Sequence, residues 1–256
     1  MDPTPCKNCG EECAGKFCRA CGQPRAQRLT FGHLLGSALG SLIDVDRGFL
    51  HTFLRLSTKP GSVPRDYVDG RQLPYTHPVK YCFIAVTAYA LAINLLEISI
   101  ELPGTPARTA LEQQLFQIIH GLLAYLLFLT LYVVALLQTR LFRASGRSTA
   151  ESYVFCLYAF GHVTWLSFLF AVTRWVETMT GVGILITLQW FYTLWALYGF
   201  YGTTRPPVLR SLLLLFVNAL ILNTASMVLA SLIVQLGLVD FLSRLLVSGL
   251  KPPITL

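Results

Sequence analysis

The sequence predicts an all-α polytopic membrane bundle, five transmembrane helices behind a small cysteine-rich head. Three observations carry that expectation. The chain is 54% hydrophobic with only 13% charged residues, whereas charged residues make up about a quarter of a soluble chain. The charges are unevenly placed: residues 1–80 hold 11 Lys+Arg and 7 Asp+Glu, and the remaining 176 positions only 9 and 6. Behind that polar front come five apolar runs, each near the ~20 residues that a helix needs to cross a bilayer core.

The runs are Val79 to Ile100, Leu115 to Leu137, Tyr153 to Thr173, Val182 to Gly202 and Ser211 to Gln235. Their linkers are short and carry turn or charge signals, such as Leu102-Pro103-Gly104 and Arg205-Pro206-Pro207. A helix satisfies its own backbone, which lipid requires. The chain thus divides into a head (1–24), a juxtamembrane segment (25–78), a transmembrane region (79–235) and a tail (236–256). The tail alternates Leu238, Phe241, Leu242 and Leu245 with Asp240, Ser243 and Arg244. That pattern fits an amphipathic helix in the outer interface or an extension of the fifth span.

Orientation follows from the basic residues. With the N-terminus inside, residues 1–80 contribute 11 Lys+Arg, the Gln138–Ser152 loop three and the Thr203–Arg210 loop two, against four on the opposite side. No short apolar core with a small-residue cleavage site precedes the head. The expected layout is N-terminus in the cytoplasm, C-terminus outside.

Cysteines carry the only strong chemical motif. Cys6-Lys7-Asn8-Cys9-Gly10 and Cys18-Arg19-Ala20-Cys21-Gly22 are two Cys-x-x-Cys-Gly knuckles. Two-residue spacing lets both sulfurs of a knuckle reach one ion, and the glycine permits the turn that aims backbone N–H groups at them. Four thiolates suit Zn2+ in a closed structural site, making the head a zinc ribbon with Cys6, Cys9, Cys18 and Cys21 as ligands. Iron in the same ligand set is the alternative. Disulfides are disfavoured in a reducing cytoplasm. So small a head has little core, and metal binding would supply its folding energy. Cys13 reads as a spare thiol, and Cys82 and Cys156 as small packing residues within the spans.

The juxtamembrane segment is patterned. Leu35, Leu42, Phe49 and Leu56 are spaced by seven, and Asp44 to Gly48 breaks the segment into two short helices. Its apolar stripe either lies on the inner leaflet or packs against the spans. Lys59, Arg65 and Arg71 precede the first span and Lys80 lies at its inner start, where anionic lipid attracts each by about 1 kcal/mol. They are candidate contacts for lipid or a protein partner, against a background of ordinary positive-inside anchoring. Phe17 is the one aromatic of the head, with no arginine-rich stacking face, which disfavours nucleic acid.

The cysteine knuckles, with Phe17 before the second and Gly22-Gln23 closing it, and Asp46-Arg47-Gly48-Phe49-Leu50-His51-Thr52, Pro60-Gly61, Arg65, Tyr67, Gly70-Arg71, Tyr75 and Pro78 together resemble a family of uncharacterised bacterial membrane proteins. The resemblance covers roughly the first 85 residues and implies the bacterial inner membrane and this layout, with no established activity. Where that family often has two basic residues after the glycine, this chain has Arg71 followed by Gln72. The five-span, N-in arrangement is also similar in topology to the Yip group of membrane-trafficking proteins.

Polar residues inside spans are functional candidates. His162, Gln189 and Asn223 fall near mid-span and invite two readings: a polar path in a small transporter or channel subunit, or interhelical hydrogen bonds of about 0.6 kcal/mol each. No phosphate loop, His-Glu-x-x-His or Gly-x-Ser-x-Gly elbow is present, so no enzymatic activity is expected. The favoured expectation is a membrane-anchored adaptor whose head and basic segment dock a cytoplasmic protein or anionic lipid; a homo-oligomer is compatible with it.

Overall fold

The computed structural model describes residues 4–24, 29–32, 34, 36–37, 48–98, 130–201, 210–211 and 213. Within them the chain is mostly helical. The head contributes a two-stranded antiparallel sheet, β1 (Thr4–Pro5) with β2 (Glu12–Cys13), in the register Thr4↔Cys13 and Pro5↔Glu12. Among the described residues the α-helices with both ends given are α1 (Phe49–Thr58), α2 (Ser62–Val68), α3 (Pro78–Leu95), α4 (Thr130–Leu141), α5 (Thr149–Val172) and α6 (Met179–Tyr201).

Three of them, α3, α5 and α6, are long and apolar enough to cross a membrane. They correspond to the first, third and fourth predicted spans. Of the second, residues 130–137 are described and lie in α4. Apart from Ser211 and Leu213, the fifth span lies outside the described residues, as does the tail. Three apolar helices of this length are consistent with a multi-pass membrane protein.

Local chemistry explains where these helices begin and end. α3 opens with Pro78 in its first turn, where the missing N–H costs nothing. It closes before the predicted Ile100. Glu97 takes a left-handed φ of 47°, Ile98 N–H bonds Ile93 O at 3.1 Å and Glu97 N–H bonds Asn94 O at 3.4 Å. This is a Schellman ending with Ile98 packed on Ile93. α5 starts four residues before the predicted Tyr153 because Ser148 and Glu151 form a capping box, with bonds of 3.2 and 3.0 Å.

α5 is the central helix, and its most extensive interface is with α3. The two cross where Gly161 meets Cys82. A Cβ on Gly161 would stand 3.0 Å from the Cys82 Cα, so the small residue sets the separation. α4 joins α5 through Cys156 Sγ to Gln138 Oε1 (3.3 Å) and Thr139 Oγ1 to Ser152 Oγ (3.1 Å).

Contacts at the helix ends show an up-and-down order. Asp69 pairs with Arg147 at 2.6 Å, just before α5. Arg147 also lies over the Phe200 ring, and Phe142 packs on Tyr201 with centroids 4.8 Å apart. The start of α5 and the ends of α4 and α6 therefore share one end. The opposite end is marked by Arg174 Nη1 bonding Leu96 O at 3.2 Å. The basic residues between 59 and 80 and those between 140 and 147 thus gather together.

The described residues 48–78 of the juxtamembrane segment pack against these helices. The Phe49 ring packs tilted or edge-on against Tyr81 and Trp165, and Phe53 likewise against Trp165 and His162. Tyr192 OH donates to Leu56 O at 3.3 Å. Where α1 turns into α2, Gly61 meets Gly199 of α6 backbone to backbone. Buried Thr52 accepts from Thr76 N–H (2.8 Å) and donates to Gly48 O (2.8 Å), while Tyr158 OH donates to Thr76 O (2.6 Å). The backbone N–H and C=O of the single residue Thr76 thereby tie α1 to α5.

Candidate metal centre

Both knuckles are built alike. Cys6 N–H bonds Glu11 O (2.7 Å) and Gly10 N–H bonds Cys6 O (2.9 Å); Cys18 N–H bonds Gln23 O (2.9 Å) and Gly22 N–H bonds Cys18 O (2.9 Å). Gly10 and Gly22 sit at φ +83° and +74°, and a Cβ on either would meet nothing within 4 Å. The requirement for glycine is therefore torsional, not steric. β1–β2 flanks the first knuckle and a single bridge, Phe17 to Pro24, flanks the second.

This brings Cys6, Cys9, Cys18 and Cys21 together, with all four sulfurs within 4.8 Å of one another. All are free thiols. Cys6 Sγ lies 3.6 Å from Cys21 Sγ, and Cys9 Sγ 3.5 Å from Cys18 Sγ. Metal–sulfur bonds of about 2.3 Å in a tetrahedron imply edges of about 3.8 Å. Four thiols at this spacing can hold a metal ion, with one sulfur from each knuckle close to one of the other.

The electrostatics agree with that use. The Cys21 backbone N–H is the largest influence on Cys18 and, with neighbouring thiols, brings it down to about 6. The Cys9 backbone N–H, with that of Asn8, lowers Cys6. Cys9 receives a lowering contact from the Glu11 backbone but is pushed up to about 12 by desolvation and the thiols around it. Without an ion the four sulfurs cannot all ionise side by side; a cation relieves that conflict. Cys13 is buried on β2 and lies outside the four-sulfur group.

Gln23 closes the second knuckle in the sequence motif, but the role of its side chain is visible only in the structure. Its backbone belongs to the second knuckle, while its side chain is buried (2% exposed) against the turn after α2. Gln23 Nε2 donates to Gly70 O, and Oε1 accepts from Leu73 N–H at 3.4 Å. A single amide thus fastens the head to the elbow formed by α1, α2 and residues 69–77. Tyr75 OH donates to Asp66 Oδ2 at 2.8 Å within that elbow, and burial with the Asp66 carboxylate raises the phenol pKa.

The other candidate residues are distributed as follows. Lys59 and Arg71 are exposed and Arg65 is half-buried, whereas Lys80 is buried at 7% exposure. Arg140, in the last turn of α4, and Arg143, in the connection before α5, are exposed as well. His162 (4% exposed) lies between Tyr81 OH, 2.8 Å from Nδ1, and Ser57 Oγ, 3.3 Å from Nε2. Gln189 Nε2 instead donates to Ser167 Oγ at 2.8 Å and to Val163 O at 3.4 Å. These two have separate partners, and Asn223 lies outside the described residues.

A four-thiol head set on apolar helices of membrane-spanning length defines the class: a helical membrane protein with a candidate metal centre. Residues 46–90 match the family described as Protein of unknown function (DUF3667), which bears out the resemblance to an uncharacterised family. The match covers α1, α2, the elbow turn and most of α3; the cysteine head precedes it. No curated protein and no solved structure matches the chain.

Proposed function

We propose that the protein is a membrane-anchored adaptor of the bacterial inner membrane, with its N-terminus and cysteine head in the cytoplasm and its C-terminus outside. The head holds a structural Zn2+ through Cys6, Cys9, Cys18 and Cys21. It presents a surface for a protein partner or anionic lipid together with the neighbouring cations, and it has no enzymatic role. One observation carries this reading. The head is fastened to the same end of the helices at which Lys59, Arg71, Arg140 and Arg143 are exposed. A rigid metal-stabilised module beside a cation-rich rim is the arrangement that docking needs. Phe17, 61% exposed, adds an apolar contact point on the head. His162 and Gln189 bond to different groups, which supports interhelical packing rather than a shared polar path.

The test is photocrosslinking from position 17 in native membranes. The adaptor reading predicts one reproducible crosslinked partner that is lost in Cys9→Ser and retained in His162→Ala. An unchanged crosslinking pattern in Cys9→Ser contradicts it. Solute flux in reconstituted vesicles that is abolished by His162→Ala favours a transporter instead.

A further inference from the structure

We propose that Gln23 transmits the metal occupancy of the head to the membrane-proximal elbow, so that docking of the head and loading of its metal stabilise one another. This rests on the reading of the four thiols as a metal centre.

Gln23 belongs to both parts at once. Its carbonyl accepts from Cys18 N–H at 2.9 Å, a bond that shapes the second knuckle. Its side-chain amide is spent entirely on the elbow, donating to Gly70 O and accepting from Leu73 N–H. Buried polar groups demand their partners, and Gln23 and Gly70 are both buried, so the side chain cannot leave the elbow without depriving Gly70 O of its donor.

Polar contacts continue inward from there. Asp69, next to Gly70, pairs with Arg147 at 2.6 Å. Arg71 N–H bonds Asp66 O at 2.8 Å, and Asp66 accepts from Tyr75 OH. Ser148, beside Arg147, caps α5. The route from the sulfurs to the start of the central helix is thus continuous.

The thermodynamic argument is linkage. A head of some twenty residues with a two-stranded sheet has little apolar core, so the ion orders its knuckles. Removing the ion releases the backbone of residue 23 and with it the bracket. By reciprocity, removing the bracket must weaken metal binding by the same factor by which metal strengthens docking. Couplings of this kind span about 5- to 150-fold, and two hydrogen bonds place this one at roughly tenfold.

The experiment uses the full-length protein in lipid nanodiscs, with Zn2+ as the probe ion. Affinity is read by chelator competition and order of the elbow by amide hydrogen exchange over residues 69–75, for the wild type and Gln23→Ala. In the wild type these amides should be protected with Zn2+ and exchange faster after chelation. In Gln23→Ala they should exchange fast in both states, and Zn2+ should bind roughly tenfold more weakly. Asp69→Asn, which leaves Gln23 in place, should keep the metal-dependent protection at Leu73. Equal Zn2+ affinity in the wild type and Gln23→Ala, or protection of 69–75 that ignores chelation, overturns the inference while leaving the metal centre standing. A wild type that binds no Zn2+ overturns both together.

Discussion

Replacing Gly61 by alanine probes the insertion of the elbow among the helices. Gly61 has φ −80° and ψ −16°, a backbone that alanine adopts without strain. Judged by conformation alone, Gly61→Ala would stabilise the protein by about 0.4–1 kcal/mol through the unfolded chain. The packing demands the opposite. A Cβ at this position would lie 2.2 Å from Gly199 C, 2.3 Å from Gly199 Cα and 2.3 Å from Phe200 N. All three are backbone atoms of α6, so no side chain can rotate away. Reaching an ordinary carbon contact of about 3.5 Å requires the two backbones to separate by more than ~1 Å. Overpacking in a dense interior costs about 1–3 kcal/mol, and immovable backbone puts this site at the upper end. Two variants calibrate the result. Gly199→Ala meets Gly61 Cα at 2.9 Å and should cost less, because alanine also favours the helix by about 1 kcal/mol. A Cβ at Gly183 of α6 meets nothing within 4 Å, so Gly183→Ala should be neutral or stabilising. The assay is reversible unfolding of the purified protein in mixed micelles, followed by far-UV circular dichroism. The expected order of stability is Gly183→Ala, then Gly199→Ala, then Gly61→Ala. A Gly61→Ala protein as stable as the wild type would refute the backbone contact between the elbow and α6.

Other consequences follow from single contacts. Thr52→Val keeps the shape but leaves Thr76 N–H without its acceptor, and should cost about 1–3 kcal/mol in the same unfolding assay. Glu97→Gly relieves a left-handed residue at the end of α3 and should stabilise by about 1 kcal/mol; a loss instead would show that the Glu97 side chain has a role of its own. Metal affinity should rise with pH, since each thiol proton displaced contributes a tenfold change per pH unit. An affinity that does not change between about pH 6 and pH 8 would contradict ligation by thiolates.

Long-period features were legible in the sequence, and short-range partnerships at a distance were not. The knuckle spacing fixes which sulfurs converge, because two residues between cysteines leave one compact turn. Uninterrupted apolar length likewise identifies α3, α5 and α6. Their ends are set by smaller signals: Ser148 and Glu151 form a capping box visible in sequence, whereas the Schellman ending at Glu97 uses a residue with no special preference for it. The amphipathic stripe of α1 could not distinguish membrane surface from protein, since both bury the same face. Pro60-Gly61 reads as a helix stop, yet Gly61 is needed where α6 comes within backbone contact. Gln23 is legible as the residue closing the second knuckle, but not as a bracket to the elbow. An amide between a knuckle and a proline is ordinary, and its partners, Gly70 and Leu73, lie far along the chain. For His162 the depth left a polar path and interhelical bonding both open, and only the structure identifies Ser57 of α1 and Tyr81 of α3 as its partners.

The most direct measurement is metal analysis with X-ray absorption spectroscopy on full-length protein purified from membranes. One ion per chain with a first shell of four sulfurs at about 2.3 Å is the predicted result, with loss of that shell in Cys9→Ser. A chain without metal, or a first shell containing nitrogen or oxygen in place of the four thiolates, would contradict the four-cysteine centre.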